Sequence, residues 1–446
     1  MAKAIKIRKG LDLKLKGKPE LTTSEVSNSS YYAIKPTDFP SLTPKMVVKE
    51  GESVKIGSPI FYDKYRESIQ YVSPISGTIS EVKRGEKRKI LEVIIKADSE
   101  FTSETIETKG DTKEVILKSG LWPFIKQRPL DIVADYTQTP KAIFVSGFDS
   151  SPLAPNYEFL LKDKKEALQA GFDALSKLTD GKVNVTIENT SKNTSVFSDV
   201  KGIELFTINS KHPAGNVGTQ IHFIDPIDKG QFVFTVNPQD VVAIGKFFAE
   251  GQYDPTRIVA LTGSEAKNRK YYRTIVGASV AGIVNDNLES ENVRVISGNA
   301  LTGEKIDRNG YLGFYDAQVT VLPEGNQYKF FLTKGWLGPG FDKYSSHMLF
   351  PTWLMKNKKY RLDTNMNGEE RGFVVTGEME KVMPLDILPM QLIKAVMTKD
   401  IDAMELLGIY EVAPEDFALC EYVCTSKIDI QEKIREGLDL IKEECM

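Results

Sequence analysis

The sequence predicts a multidomain α/β protein, and three observations lead to this fold class. The chain has 446 residues, more than a single hydrophobic core usually serves, so we expect about three or four domains. In the middle of the chain, apolar strands alternate with helical patterns, which is typical of a parallel sheet. On either side of this part, short strands are separated by glycine turns, which predicts smaller and mostly β units.

Residues 1–100 form the first predicted domain. The stretches "VKEGESVKI" (48–56) and "VKRGEKRKI" (82–90) share the pattern V-K-x-G-E-x-x-K-I, which indicates an internal repeat of strand, glycine turn and strand. The region resembles the biotinyl/lipoyl type of domain, a barrel-sandwich hybrid that carries its cofactor on a hairpin lysine. Lys64 lies in the matching part, but the segment around it is long and rich in tyrosine. We therefore expect a scaffold with an unmodified Lys64.

Residues 101–265 form the predicted α/β domain. "KAIFVSG" (141–147) has the pattern of a buried strand, and the helical pattern that follows ends at Gly181. A further strand and helix come next, with Asn237 as the N-cap of the helix. "RIVALTG" (257–263) predicts another strand of the same sheet.

Residues 266–334 form a predicted compact β module, whose last strand is expected in "YKFFLTKG" (328–335). Residues 335–446 form a mixed, largely helical domain, in which a helical pattern is broken at Pro389. The final helix has a charged face and an apolar stripe formed by Ile430, Ile434, Leu438 and Ile441.

Composition excludes several classes of function. The formal net charge is −3, from 58 basic and 61 acidic residues, so we expect no nucleic-acid partner. The N-terminus lacks the pattern of a signal peptide, and no apolar run reaches the ~18–20 residues that span a bilayer. Three cysteines predict a reducing compartment without a disulfide framework. The histidines have no ligand spacing, so we expect no metal site; they are His212, His222 and His347.

Candidate binding residues lie in "HPAGNVGTQ" (212–220), whose glycines and asparagine suit a turn or an anion-binding nest. The chain has no G-x-G-x-x-G and no P-loop pattern, and the strand–glycine–helix context of such motifs is not evident around this stretch. A structural loop is therefore the favoured interpretation, and the candidates for contact with an anion or a quinone are His212, Gly215, Asn216 and Gly218. We assign no catalytic residue, because Ser146 lacks the G-x-S-x-G pattern and no acidic pair stands out.

Two of the three cysteines, Cys420 and Cys424, lie in "LCEYVCTSK" with C-x3-C spacing. A ferredoxin-type cluster needs four thiolates in a C-x2-C-x2-C-x3-C-P run, and Phe417 and Pro414 occupy the first two positions here. The favoured interpretation is that the two thiols are buried and pack a helix.

Several long stretches, in this order, resemble the NqrA family, which comprises the A subunits of the sodium-translocating NADH:quinone reductases; they include "GLWPFIKQRPLDIVAD", "KAIFVSGFDSSPLAP", "KHPAGNVGTQIHFIDPI", "RVISGNALTGEKI", "VMPLDILPM" and "EDFALCEYVCTSK". The resemblance runs nearly from end to end. It implies a barrel-sandwich hybrid, a Rossmann-like parallel α/β domain, a small β-grasp-like module and a mixed C-terminal domain.

The resemblance also implies a function. Proteins of this family are peripheral subunits on the cytoplasmic face of the bacterial inner membrane, associated with ubiquinone and with subunits B, C, D, E and F, chiefly B. We expect membrane contact through these partners, since no basic amphipathic helix is evident. Flavin-bearing subunits of respiratory complex I, and related Rnf-type subunits, share the middle architecture. Where the former have a glycine-rich flavin loop, this chain has Trp122, Phe124 and Ile125, so we expect no tightly bound cofactor.

Three alternatives remain at this point: a free-standing flavoprotein oxidoreductase, a member of an Rnf-type complex, and a lipoyl or biotin carrier. The missing glycine loop argues against the flavoprotein, and the long segment around Lys64 argues against the carrier.

Overall fold

The structure is a computed structural model, and it describes residues 3–26, 29–191, 194–209, 211–327, 329–332, 334–335, 337–345 and 348–445. His347, one of the three histidines considered above, lies outside these residues.

The N-terminal region is built from short strands. They are β1 (Lys3–Ile5), β2 (Thr23–Glu25), β3 (Tyr31–Ile34), β4 (Pro44–Met46), β5 (Ser53–Val54), β6 (Pro59–Asp63), β7 (Arg66–Val72), β8 (Gly77–Arg84) and β9 (Ile90–Ala97). Seven of them form two antiparallel sheets, in the orders β3-β9-β8-β5 and β4-β6-β7. Their inward side chains, such as Ile60, Ile69 and Val93, are fully buried, so the two sheets share one core.

The middle of the chain alternates strands and helices. They are α1 (Thr112–Lys118), β10 (Ile125–Arg128), β11 (Ile132–Val133), β12 (Ala142–Ser146), α2 (Tyr157–Leu161), α3 (Lys165–Leu175), β13 (Lys182–Glu188), β14 (Glu204–Ile208), α4 (Val217–Ile224), β15 (Val233–Val236), α5 (Pro238–Glu250) and β16 (Thr256–Thr262).

A seven-stranded sheet has the order β1-β14-β13-β12-β15-β10-β11. The first five strands are parallel, and the hairpin of β10 and β11 adds an antiparallel edge. The predicted parallel sheet is therefore confirmed. Helix α5 also begins as predicted, since the Asn237 side chain accepts a hydrogen bond from the backbone N–H of Gln239.

Two predictions for this region were wrong. The helical pattern that was expected to end at Gly181 is divided into α2 and α3, and α3 ends at Leu175. Strand β16 was expected in the parallel sheet, but it pairs with strands of the following β region instead. The apolar pattern of β16 predicts a buried strand, and such a pattern does not specify which sheet buries it.

The following region contains β17 (Tyr271–Ile275), α6 (Ala281–Val284), β18 (Val293–Ser297), β19 (Glu304–Ile306) and β20 (Gln318–Pro323). With β16 and β2 these strands form a six-stranded sheet of order β19-β18-β20-β16-β17-β2. The strand expected at 328–335 was wrong, because residues 329–332 and 334–335 lie in no strand, while Tyr328 and Thr333 lie outside the described residues. Phe330 is 60% exposed and has no sheet face to cover it.

The last region is helical, with α7 (Met379–Val382), α8 (Pro389–Thr398), α9 (Ile401–Leu406), α10 (Ala418–Val423) and α11 (Ile430–Cys445). The apolar stripe predicted for α11 is confirmed, since all four of its residues are fully buried. Leu130 and Ile132, from the β10–β11 hairpin, belong to the same core. This packing joins the helical region to the edge of the parallel sheet. Within the described residues, no helix is both long enough and apolar enough to cross a membrane.

Candidate functional site

A cavity of about 250 Å³ lies where the parallel strands end. Its wall includes the C-terminal ends of β12 and β15, the loop after β14, and residues from the β and helical regions. The carboxyl edge of an open parallel sheet is where such folds bind ligands. The volume is slightly below the ~300–1,000 Å³ of usual small-molecule sites, so it suits one ring system better than a dinucleotide.

His212 contributes the most unusual polar group of the wall. The residue is 4% exposed, its Nδ1 lies 3.0 Å from Ser150 Oγ, and its Nε2 has no hydrogen-bond partner among the described residues. Burial lowers the pKa of His212 to about 4, so the ring is neutral at physiological pH. The backbone N–H of His212 donates to Asp12 Oδ1 at 2.9 Å, which fixes the loop to the N-terminal segment.

Gly215 and Asn216 complete this side of the cavity. The Gly215 N–H donates to Ser150 Oγ at 2.7 Å, and a Cβ at Gly215 would lie only 2.4 Å from the Ser150 backbone nitrogen. Only glycine permits this approach. The Asn216 amide donates to the Glu415 carbonyl at 3.1 Å.

The fourth candidate, Gly218, is placed differently. It lies in α4 against the carboxylate of Asp416, where a Cβ would be 2.5 Å from both oxygens, and it does not line the cavity. The structure thus brings three of the four candidates to one wall. The loop also connects β14 to α4, so the strand–glycine–helix context that the sequence did not reveal is present. The expectation that this context is missing was wrong, because β14 ends well before the glycines.

Aromatic and cationic side chains also line the cavity. Lys126 Nζ is 4.6 Å from the centre of the Tyr315 ring, and the Tyr315 hydroxyl donates to the Pro123 carbonyl at 2.6 Å. Phe124 also lines the cavity, while Trp122 and Ile125 are fully buried in the adjoining core. The bulky residues of this loop are thus part of the packed interior.

Two carboxylates of the α/β region line the cavity: Asp240 is buried and Asp149 is partly buried. Burial raises the pKa of Asp149, although the Ser151 N–H donates to it at 2.7 Å. Burial also raises the pKa of Asp240, and the opposing charge comes from Arg257, whose Nη1 lies 2.7 Å from Asp240 Oδ1. Ion pairing of this kind orients Asp240 within the first turn of α5.

A charged cluster around the buried Arg128 and Asp416 joins the cavity to the helical region. Arg128 is 2% exposed, and its guanidinium lies 2.5 Å from Glu415, 3.2 Å from Asp416 and 3.5 Å from Asp131. Burial raises the pKa of Asp416, and the Arg128 charge opposes this rise. Burial would also raise the pKa of Asp131, but the charges of Lys126, Arg128 and Arg435 outweigh it and lower the pKa. We call Arg128, Asp131, Glu415 and Asp416 the junction cluster.

The two cysteines of the C-x3-C stretch are buried, as predicted. Cys420 is fully buried within α10, and Cys424, just after the helix, is 2% exposed. Burial raises the pKa of the Cys420 thiol well above its usual range, which keeps it protonated and unreactive. Among the described residues, no group of three or more His, Cys, Asp or Glu is arranged to hold a metal ion.

Ser146 and Lys64 were the other residues considered from the sequence. Ser146 Oγ accepts a hydrogen bond from Gln220 and lies 2.9 Å from the Gly215 carbonyl, so it holds the loop in place. Lys64 is exposed in the short turn between β6 and β7, beside Tyr65, which is 75% exposed. The expectation of a long segment around Lys64 was wrong, because β6 ends at Asp63 and β7 begins at Arg66, which leaves only a short turn. That Lys64 is unmodified stays a prediction.

Sequence reasoning missed most of the cavity lining outside the loop after β14, which is contributed by Lys126, Asp131, Asp149, Asp240, Tyr315 and Glu415. These residues come from distant parts of the chain, and no spacing pattern connects them. The one usable signal was Asp149, which follows a predicted strand at the edge of the sheet where ligands bind.

Comparisons with known proteins agree with the resemblance found in the sequence. Residues 5–98 match the family model described as the NqrA N-terminal barrel-sandwich hybrid domain, residues 107–253 match the NqrA second alpha/beta domain, and residues 258–308 match the NQRA C-terminal domain. The first of these matches supports a barrel-sandwich hybrid at the N-terminus.

Among solved structures, the NAD+-reducing nickel–iron hydrogenase in its air-oxidized state aligns with 69% of this chain and 55% of its own chain. The identity is 11% and the TM-score is 0.35, which is too low to support a conclusion.

Relatives align over nearly the whole chain. The A subunit of the Na(+)-translocating NADH-quinone reductase from Marinomonas sp. (strain MWYL1) is 37% identical, covering 98% of this chain and 99% of the relative. Its counterpart from Pasteurella multocida (strain Pm70) is 35% identical, covering 99% of this chain and 100% of the relative. The chain therefore belongs to the NqrA family, the A subunits of the Na(+)-translocating NADH-quinone reductases.

Proposed function

We propose that this chain is a peripheral subunit of a complex that passes electrons from NADH to a quinone and transports sodium, and that its cavity contacts the quinone headgroup. The names and full-length similarity of the relatives support the first part. The observation that carries the second part is the cavity itself, which is lined by Lys126, by Tyr315 and by His212, whose imidazole Nε2 has no hydrogen-bond partner among the described residues.

A quinone headgroup is a flat ring with two carbonyl acceptors, and the cavity offers matching groups. Ser150 Oγ accepts from the Gly215 N–H, so its own proton is available to His212 Nδ1. This arrangement favours the neutral tautomer with hydrogen on Nε2, which can donate to a carbonyl. Lys126 supplies a second donor, and Tyr315 and Phe124 supply ring surfaces for stacking.

We further propose that the chain holds no tightly bound flavin. A flavin phosphate needs close approach to a glycine-rich backbone, whereas Trp122 and Ile125 are packed into the core at that loop. The α/β region is then Rossmann-like and the β region β-grasp-like, both distantly related to the flavin-bearing subunit of complex I and to Rnf-type subunits. In this proposal the chain shares its fold with the flavin-bearing subunit but no longer binds the flavin.

The proposed setting is the cytoplasmic face of the bacterial inner membrane. Subunits B, C, D, E and F are the proposed partners, with B the main docking partner. Affinity purification of a tagged chain from detergent-solubilised membranes tests this. We expect the other subunits to co-purify in constant ratio, and recovery of the chain alone would favour a free-standing protein.

Kinetics of the assembled complex test the cavity. His212→Ala should raise the KM for quinone about tenfold, because one hydrogen bond to the substrate and the loop geometry are lost. NADH oxidation with an artificial electron acceptor should be unchanged, since that step does not use this chain. The matched control is His222→Ala: His222 hydrogen-bonds the Asp386 N–H, lies beside Glu411 and does not line the cavity. Equal effects of the two variants on the quinone KM would contradict the proposal.

A further inference from the structure

A large apolar surface is exposed beyond the β region. Of 22 exposed large apolar side chains in the described part of the chain, ten lie between residues 330 and 355. The most exposed are Leu349 at 74%, Met348 at 69% and Leu354 at 64%, and the aromatic members include Trp353 at 48%. Ten exposed large apolar side chains within 26 residues of sequence are an unusual concentration for a surface in water, so they indicate an interaction. We call residues 329–361 the apolar-basic segment.

The segment is also strongly basic. It contains seven lysines and arginines and a single acidic residue, Asp342, whereas the whole chain has a net charge of −3. Two of the seven, Lys329 and Arg361, are paired with Asp363 and Glu265 outside the segment. Lys334, Lys356 and Lys359 are exposed, and they lie close in sequence to exposed apolar residues. The sequence shows no basic amphipathic helix, and this segment has only one short 3-10 turn, Pro351–Leu354, among its described residues.

Specific contacts fix the base of the segment. The backbone of Tyr360 pairs with the N-terminal segment, donating to the Lys14 carbonyl at 2.8 Å and accepting from the Lys16 N–H at 2.9 Å. Its ring is 3% exposed, and its hydroxyl donates to the Thr352 carbonyl at 3.1 Å. Polar and aromatic groups thus face inward at the base, while Leu349 and Leu354 face outward.

The same base is connected to the cavity. The Tyr344 hydroxyl donates to the Asp12 carbonyl at 2.9 Å, and the Asp12 carboxylate accepts from the His212 backbone N–H at 2.9 Å. One residue of the N-terminal segment therefore contacts both the apolar-basic segment and the cavity loop.

We propose that the apolar-basic segment lies directly on a bilayer that contains anionic phospholipids. Exposed aromatic and aliphatic side chains enter the interfacial layer, while surrounding lysines meet the phosphate headgroups. The cores of protein–protein interfaces are also rich in aromatic residues, but they are depleted in lysine. The interleaved lysines are thus the observation that favours a lipid surface over a protein partner. Direct lipid contact goes beyond the proposed docking through partner subunits and does not depend on quinone binding.

Co-sedimentation of the purified full chain with protein-free vesicles tests the proposal. We expect binding to phosphatidylcholine vesicles enriched in phosphatidylglycerol, little binding to vesicles of phosphatidylcholine alone, and weakening as salt is raised. The double variant Leu349→Glu, Leu354→Glu should bind about tenfold more weakly or not at all, since both charges would enter the interface. Leu406→Glu is the matched control, because Leu406 is 87% exposed on α9, outside the segment.

A second pair of variants tests the charge. Lys356→Glu with Lys359→Glu should weaken binding to the anionic vesicles about tenfold or more, whereas Lys87→Glu with Lys89→Glu, in an exposed turn between β8 and β9, should change it little. Failure of the unmodified chain to bind anionic vesicles would overturn the proposal. A second result would also overturn it: the Leu349→Glu, Leu354→Glu variant still binds vesicles but no longer co-purifies with the other subunits. The apolar-basic segment would then contact a protein subunit and not the lipid.

Discussion

Two neighbouring parts of the C-terminal region differ in what surrounds them. Glu415 and Asp416 meet the buried Arg128 and border the cavity, while Cys420 and Cys424 lie just beyond them in an apolar core. The cysteines have the spacing that suggests chemistry in the sequence, and the acidic pair has no motif. In the structure the acidic pair takes part in a network of charged contacts and the cysteines only pack, because buried charges need partners and buried thiols do not.

This difference shows that the polar residues available for contact with a ligand lie at the edge of the parallel sheet and not in the helical core. The helical region encloses its thiols completely, whereas the loop after β14 contributes His212, whose Nε2 has no hydrogen-bond partner among the described residues, to the lining of the cavity. Buried polar atoms without a protein partner are uncommon and indicate either water or a ligand. Substitutions in the junction cluster, at His212 and at the two cysteines should therefore have different effects.

The largest effect is expected from Arg128→Ala. Removing the guanidinium leaves Asp416, whose side chain is fully buried, without its opposing charge. Breaking a buried pair in this way should lower the free energy of unfolding by about 3–5 kcal/mol, measured by urea denaturation. Lys165→Ala, which removes an exposed pair with Asp199, should leave it almost unchanged. Similar stability of both variants would show that the junction cluster does not hold the regions together.

The next effect concerns pH. The pKa of His212 is about 4 in the folded chain and about 6.5 when unfolded, so only the unfolded state gains a proton as pH falls between these values. Stability from the neutral ring is complete above pH ~6.5, and up to about 3 kcal/mol is lost as pH approaches 4. Denaturation of the unmodified chain and of His212→Asn at several pH values measures the difference.

This comparison between two proteins also removes the opposing contribution of Asp38. Burial raises the pKa of Asp38 to about 6, which favours the folded state as pH falls, and it does so equally in both proteins. If the free energy of unfolding depends on pH identically in the two proteins, then folding does not lower the pKa of His212, and its ring takes up a proton in the folded chain as readily as in the unfolded chain.

The smallest effect is expected from the double variant Cys420→Ala, Cys424→Ala. Loss of packing should lower the free energy of unfolding by about 1–3 kcal/mol without changing the pH slope. Electron transfer by the assembled complex should be largely retained. An iron–sulfur chromophore in anaerobically purified protein, lost in this variant, would contradict the packing role.

Local signals in the sequence were sufficient for much of the fold. Asn237 predicted the start of α5, and the stripe from Ile430 to Ile441 predicted a buried helix face, because both depend on neighbours along the chain. Sheet membership was harder to predict. Strand β16 lies in the six-stranded sheet and not in the parallel sheet where it was expected. Strands β1 and β2, from the N-terminus, lie in the seven-stranded and six-stranded sheets, which are formed mainly by later residues.

The site could be predicted only on one side. His212, Gly215 and Asn216 are close in sequence, and their residue types indicated a polar turn. Lys126 and Glu415 reach the same cavity from opposite ends of the chain through tertiary packing, which no local pattern encodes. Gly218 was chosen for the same reason as Gly215, but the helix turns it toward Asp416.

Photolabelling tests the central claim, that the cavity beside the junction cluster contacts quinone, most directly. The assembled complex is illuminated with a quinone that carries a photoreactive group on its ring, and labelled peptides are mapped by mass spectrometry. We expect label in peptides containing His212 to Val217 or Phe124 to Lys126, reduced by excess unlabelled quinone and by His212→Ala. Label confined to the peptide with Cys420 and Cys424, or no competed label in this chain, would contradict the account.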